Sequence, residues 1–333
     1  MKCRPSRERK RKINRAGSLA RLFSFLLLPA ASASAVTAGF DTQFDKWMYE
    51  NVSGTVGGQN DAAPINSVAD TNGSVRFQGF LVAFNTASLA GLVNGNFQLT
   101  SITLTLVNVD GSFVYDPTPD SYRTELPVGD PNRLADDDGK PLELFGVGLR
   151  NGYTGLNATV KNPSNGTYGE YSPYGTTGQT NFQNAYPLGK TAPGVLKDVS
   201  TNVLSGEEAT AFAIGKTTGL TPNIGLAGSE TKFTFTLDLT DPDILAYVRN
   251  SISSGVLGFY VSTYNLAQSQ TGPHTYPRFY TWEGAAGALV PEYTPHLEIQ
   301  YAIVPEPRIS GLLIAGLGLF AAGRGVRNRH RLS

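Results

Sequence analysis

Between Thr37 and Tyr301 apolar residues recur at every second position, and this period of two commits the middle of the chain to β-structure. The run Ser101-Ile102-Thr103-Leu104-Thr105-Leu106-Val107 puts Ile102, Leu104 and Leu106 on one face and hydroxyl-bearing residues on the other. That is the pattern of a strand with one side in a core. The same reading predicts strands over 44–49, 74–84, 100–109, 143–149, 232–239, 255–264 and 296–302. One helix interrupts them. Asp241 is placed to cap it, Pro242 to start it, and Ile244, Leu245, Val248 and Ile252 to line one face before Gly255. With 37 glycines, 20 prolines and no fixed-period repeat, the expected fold is an all-β sandwich with one short helix.

Charge is distributed unevenly. Of the 27 Lys and Arg residues nine lie within 1–21 and five within 308–333, whereas only Glu8 among the 27 acidic residues lies outside 36–307. The body therefore carries 13 basic against 26 acidic residues, and an acidic body argues against nucleic acid as a partner. The one cysteine, Cys3, lies in the basic leader, so disulfides, thiolate metal sites and cysteine nucleophiles are excluded from the body.

The two ends read as addresses. Residues 1–35 combine a basic segment, the apolar run Leu22–Leu28 and small residues ending in Ala31-x-Ala33 and Ala33-x-Ala35, the order of a secretory signal peptide. The run is too short for a membrane span. Residues 303–333 contain Val304-Pro305-Glu306-Pro307, an apolar segment over 309–322, then Arg324, Arg327, Arg329 and Arg331. This order resembles the PEP-CTERM sorting signal of Gram-negative bacteria. The resemblance implies export, a transient single-span membrane helix, and processing by an exosortase near the Pro-Glu-Pro. It also implies a location in the cell envelope or extracellular matrix. Arg308 departs from the apolar or small residue usual after the motif. Glycines 311, 316, 318 and 323 among Leu, Ile and Ala suit packing in a membrane helix, and the arginines suit its cytoplasmic end.

The body, 36–302, also carries a resemblance. Gln78–Leu89 followed by Leu99–Leu106, then Leu237-Asp238-Leu239-Thr240, the helix and Gly255–Phe259, and finally Pro295–Ile299, are similar to units of DNRLRE-type bacterial surface domains. That resemblance implies a jelly-roll sandwich. The string that names those domains is not present. Residues 151–194, rich in Gly, Asn, Ser and Tyr, are expected to form a long loop.

Three kinds of site suggest themselves. Asp136-Asp137-Asp138-Gly139 with Glu143 is a dense set of hard oxygen ligands, and Asp136, Asp138 and Glu143 would suit calcium, although the spacing is not that of an EF-hand. The alternative is a solvated acidic turn. Tyr276-Pro277-Arg278-Phe279-Tyr280-Thr281-Trp282 would, as a strand, align Arg278, Tyr280 and Trp282 with Tyr276 on one face, a platform for exopolysaccharide rings. The alternative is a core strand. For catalysis the body offers His274 and His296, and no serine-hydrolase elbow, zinc-protease or phosphate-loop motif. A non-enzymatic surface or matrix protein is therefore expected. A secreted polysaccharide lyase or hydrolase is the alternative, since paired carboxylates need no sequence spacing.

Overall fold

The computed structural model describes residues 35–42, 44–49, 62–70, 72–93, 97–150, 156, 185–267 and 274–303. In chain order the strands are β1 (Ala35–Asp41), β2 (Phe44–Tyr49), β3 (Ala62–Pro64), β4 (Asn66–Asp70), β5 (Gly73–Asn85), β6 (Phe97–Asp110), β7 (Phe113–Val114) and β8 (Glu143–Leu149). They continue as β9 (Ala185–Ala192), β10 (Val195–Asp198), β11 (Ala213–Ile214), β12 (Leu226–Ala227), β13 (Lys232–Thr236), β14 (Val256–Ser262), β15 (Arg278–Tyr280) and β16 (His296–Ile303). The helices are α1 (Ala87–Ala90), α2 (Asn202–Ser205), α3 (Pro242–Ser253) and α4 (Trp282–Gly287).

The strands form two large antiparallel sheets packed as a sandwich, the all-β architecture expected from the alternation. In the front sheet β6 is the axis. One edge of β6 pairs with β13, and the other pairs first with β16, over Phe97–Thr105, and then with β15, over Asn108–Asp110. β15 and β16 therefore lie end to end along one edge, separated in sequence by an excursion containing α4. Beyond them β3 pairs with β15 and β1 with β16. The back sheet runs β10-β9-β8-β14-β5-β2, with β11 beside β8 and β4 beside β5.

The core lies where the inward faces meet. Ile102, Leu104 and Leu106 of β6, Phe233 and Phe235 of β13, and Leu297 and Ile299 of β16 face Phe80, Val82 and Phe84 of β5 and Leu257, Phe259 and Val261 of β14. Each fully buried Leu or Phe contributes about 1.5–3 kcal/mol relative to exposure. The back sheet is also covered on its outer side, where Met48, Leu81, Phe145 and Tyr260 pack with Ala185 and Val199. That second layer explains why 80–84 and 257–261 read as near-continuous apolar runs.

α3 follows the sequence reading closely. Asp241 Oδ1 accepts from the N–H groups of Asp243 (2.9 Å) and Ile244 (3.4 Å); Ile244, Val248 and Ile252 are buried. Gly255 leaves the helix at φ +86°, a conformation that favours glycine. Arg249 Nη2 donates to the Phe97 carbonyl (2.8 Å), which seats α3 at the end of the sandwich where β6 begins.

One expectation needs correction. Residues 185–192 of the expected loop form β9, which pairs with Gly146–Leu149, so that loop closes at least ten residues earlier on its C-terminal side. The remainder, apart from Leu156, lies outside the described residues, as do the leader through residue 34 and the tail from 304. Among the described residues no helix is long and apolar enough to cross a membrane.

Candidate functional site

At the end of β6 opposite α3 the chain turns through β7 into a long excursion, 115–142, before entering β8. Tyr115 and Phe113 anchor its start in the core, and Leu142 anchors its end. Between them Ser121 caps a short 3-10 helix, Tyr122–Glu125, by accepting from Arg123 N–H; Glu208 in turn accepts from Ser121 Oγ (2.6 Å) and Tyr122 N–H (3.1 Å). This pinned frame gathers carboxylates into two overlapping groups.

The first group is Asp120, Glu125 and Asp136. Lys140 Nζ donates to Glu125 and to Asp136 and lies 3.6 Å from Asp120 Oδ2, so this group holds its own cation. Burial pushes the Asp120 carboxyl up to about 7; Lys140 opposes the shift, and Asp136, Asp116 and Glu125 add to it.

The second group is Asp116, Asp120 and Asp137, with one carboxylate oxygen from each lying within 4.8 Å of the others. Asp116 is 2% exposed. Its Oδ1 accepts from Thr118 N–H (2.8 Å) and Oγ1 (2.5 Å), and its Oδ2 is sealed from solvent with no donor. Burial raises this carboxyl too, against the two Thr118 hydrogen bonds. Asp137 Oδ2 accepts from Asn223 Nδ2 (2.8 Å). Asn223 Oδ1 is likewise sealed without a donor. Gly139 closes the group: a Cβ there would stand 2.5 Å from Asp116 Cβ and 2.9 Å from Asn223 Oδ1.

The expected calcium ligands are only partly brought together. Asp136 belongs to the lysine-balanced group and Asp138 is exposed, outside both groups. Glu143 is corrected outright. It sits at the start of β8 on the covered outer side of the back sheet, the side of Phe145, where Oε2 accepts from Arg76 Nη1 at 2.5 Å and both side chains are at most 4% exposed. The Arg76 guanidinium lies 4.0 Å from the Tyr264 ring centre and 4.8 Å from that of Phe145. Burial pushes the Glu143 carboxyl up while Arg76 pulls it back, the balance of an internal ion pair. Asp116 and Asp120 escaped the sequence reading, although Asp116-Pro117-Thr118-Pro119-Asp120 stiffens two carboxylates at a fixed spacing. Asn223 had no comparable signal; Thr221-Pro222-Asn223 reads only as a turn.

The aromatic segment is shorter as a strand than expected. β15 ends at Tyr280, and Thr281 caps α4 by accepting from Gly284 N–H (3.0 Å). Phe279 is fully buried against Phe80 and Phe233, and Tyr276 is buried as well. Arg278 and Tyr280 share the opposite, half-exposed face. Trp282 is 47% exposed but stands at the first turn of α4 and does not continue that row. Tyr293 joins Tyr280 instead, ring centres 5.3 Å apart, with Lys232 Nζ 5.8 Å from the Tyr293 ring. Arg278 Nη1 donates to Asp110 Oδ2 (2.6 Å), so part of its fork is engaged.

A groove of about 530 Å³ runs along α3 between Gly194, Leu196, Asp243, Tyr247, Asn250 and Ser254. Its one carboxylate, Asp243, accepts from Gly194 N–H (2.9 Å) and pairs with Lys190 (3.2 Å). The Tyr247 hydroxyl accepts from Val147 N–H (2.8 Å) and donates to the Gly258 carbonyl (2.7 Å), and burial pushes it up to about 12. His296 Nδ1 meets Asp41 Oδ1 (3.0 Å) at the exposed end of the β1–β16 pair, and His274 packs beside Tyr276. The sorting residues Val304, Pro305, Glu306, Pro307, Arg324, Arg327, Arg329 and Arg331 lie outside the described residues. No family model matches the chain, and no curated protein or solved structure matches it either.

Proposed function

We propose that the chain is an exported, exosortase-processed, non-enzymatic protein of the cell surface or extracellular matrix of a Gram-negative bacterium, with a jelly-roll-type sandwich that interacts with exopolysaccharide. The observation that carries the reading is the order Pro305-Glu306-Pro307, apolar segment, arginine cluster, opposite a leader with a small-residue cleavage site. The register pair Ala35↔Ala302 supports it, because both address-bearing ends leave the body at one corner. The half-exposed Tyr280–Tyr293 pair beside Arg278 and Lys232 offers sugar rings apolar faces with cations at their rim.

The test is intact-mass analysis of the protein released by cells that carry an exosortase. The expected product lacks Ile309–Ser333; a released product that keeps the arginine tail would overturn the routing.

A further inference from the structure

We propose that the excursion between β7 and β8 binds one calcium ion through the carboxylates of Asp116, Asp120 and Asp137 and the side-chain carbonyl of Asn223. Oxygens that share an ion at about 2.3–2.6 Å lie no more than about 5 Å apart, and the three carboxylate oxygens meet that condition. The two acidic groups differ in the feature that decides between them. Lys140 satisfies Glu125 and Asp136 and lies 3.6 Å from the shared Asp120, whereas among the described residues neither Asp116 nor Asp137 has an ion-pair partner.

The independent sign of a ligand is the set of acceptors left without donors. Asp116 Oδ2, on a side chain almost wholly buried, and Asn223 Oδ1, from a segment more than eighty residues away, are both sealed from solvent and unpartnered. Burying a carboxylate oxygen with neither donor nor cation is costly, and a native structure that does so has a reason for it. The Asn223 amide is oriented for the task, since its Nδ2 is spent on Asp137 and its oxygen is left over. Gly139 is the residue that lets the backbone close around Asp116 and Asn223 without a clash. Four hard oxygens on an irregular loop, completed by water, suit calcium better than magnesium, which demands near-ideal octahedral geometry.

The excursion leaves β6 at Asp110, whereas Ile303, at the end of β16, pairs with Phe97 at the other end of β6. A β6 of 14 residues extends about 45 Å, so the proposed ion sits at the pole far from Ile303. An exported protein meets calcium there at the concentrations at which extracellular modules bind, about 10⁻⁴–10⁻³ M.

The experiment is calcium titration of the purified exported protein by calorimetry, paired with melting in millimolar calcium and in EDTA. The wild type is expected to bind one ion and to melt higher in calcium. Asp137→Asn, at an exposed position that can be altered without emptying the core, is expected to weaken binding at least tenfold and to remove the shift. Asp138→Asn, outside the group, is expected to keep both. Equal melting in calcium and EDTA with no binding heat would overturn the proposal. So would a shift that survives Asp137→Asn or vanishes in Asp138→Asn.

Discussion

Arg76 and Glu143 show how much a single buried pair constrains this molecule. Each charge is shielded from water, and Arg76 is held from three sides, by Glu143, the Tyr264 face and the Phe145 face. Removing one partner leaves the other buried and uncompensated. Glu143→Gln and Arg76→Met are each expected to cost about 3–5 kcal/mol, whereas the double change Arg76→Met/Glu143→Leu should recover most of it. Urea unfolding of the three variants checks this; a double variant no better than the singles would show that the pair does more than balance its own desolvation. In the sequence, Glu143 stood six residues from Asp137 and looked like part of an acidic turn. The start of a strand fell between them and buried Glu143. Local charge density could not reveal that, because Arg76 is 67 residues away. The same limit hid Asn223. Proximity in sequence overstated one ligand and missed another.

Among the elements, β2, β8 and β16 were legible almost to the residue, and β16 alternates between buried and half-buried positions over most of its length. Those that failed to register are short, sit at edges or carry strand-breaking residues. β9 contains Pro187 and Gly189, and β15 contributes only three residues before Thr281 starts α4. Such strands are defined by the neighbour they pair with, and a pattern search sees only the strand itself. α3 was legible because its cap, proline, apolar stripe and terminal glycine agree. The Asp241 carboxyl is held below its usual range, first by Lys190, against partial burial, and then by the N–H groups of Asp243 and Ile244. Its stabilising effect is complete above the unfolded value near pH 4 and is lost as pH falls through the lower folded value. Asp241→Ala should therefore cost about 0.5–2 kcal/mol at neutral pH, and the gap from wild type should close once the pH falls well below the unfolded value near 4. Denaturant unfolding at both pH values measures it; a gap that persists in acid would assign the effect to something other than the ionised cap.

At the scale of the whole molecule, the order of the front sheet makes the first strand of the body a cover for the last. β1 is an edge strand with a mostly exposed face, and its removal would bare the other edge of β16 over seven paired residues. Bare edges recruit other chains. A chain beginning at Thr42 is expected to melt lower and to elute as mixed oligomers, where the protein cut after Ala35 stays monomeric. Size-exclusion chromatography with light scattering separates the outcomes, and a monomeric truncated chain would show that β16 needs no cover. The sandwich itself was visible in the alternation, but this pairing of first strand with last was not, since the two lie more than 250 residues apart.

That pairing also sets how the body bears load. A pull that separates residue 35 from residue 303 acts on two antiparallel strands from the same end, and their cross-strand bonds break rung by rung, as a zipper opens. A pull between the tail end of β16 and the far pole runs along the strand axes instead. There the bonds to β1 on one side and to β6 on the other are sheared together and share the force. Tethered by its C-terminal end and gripped at the acidic pole, the body would be loaded in its stronger direction; gripped by its two ends, it would peel.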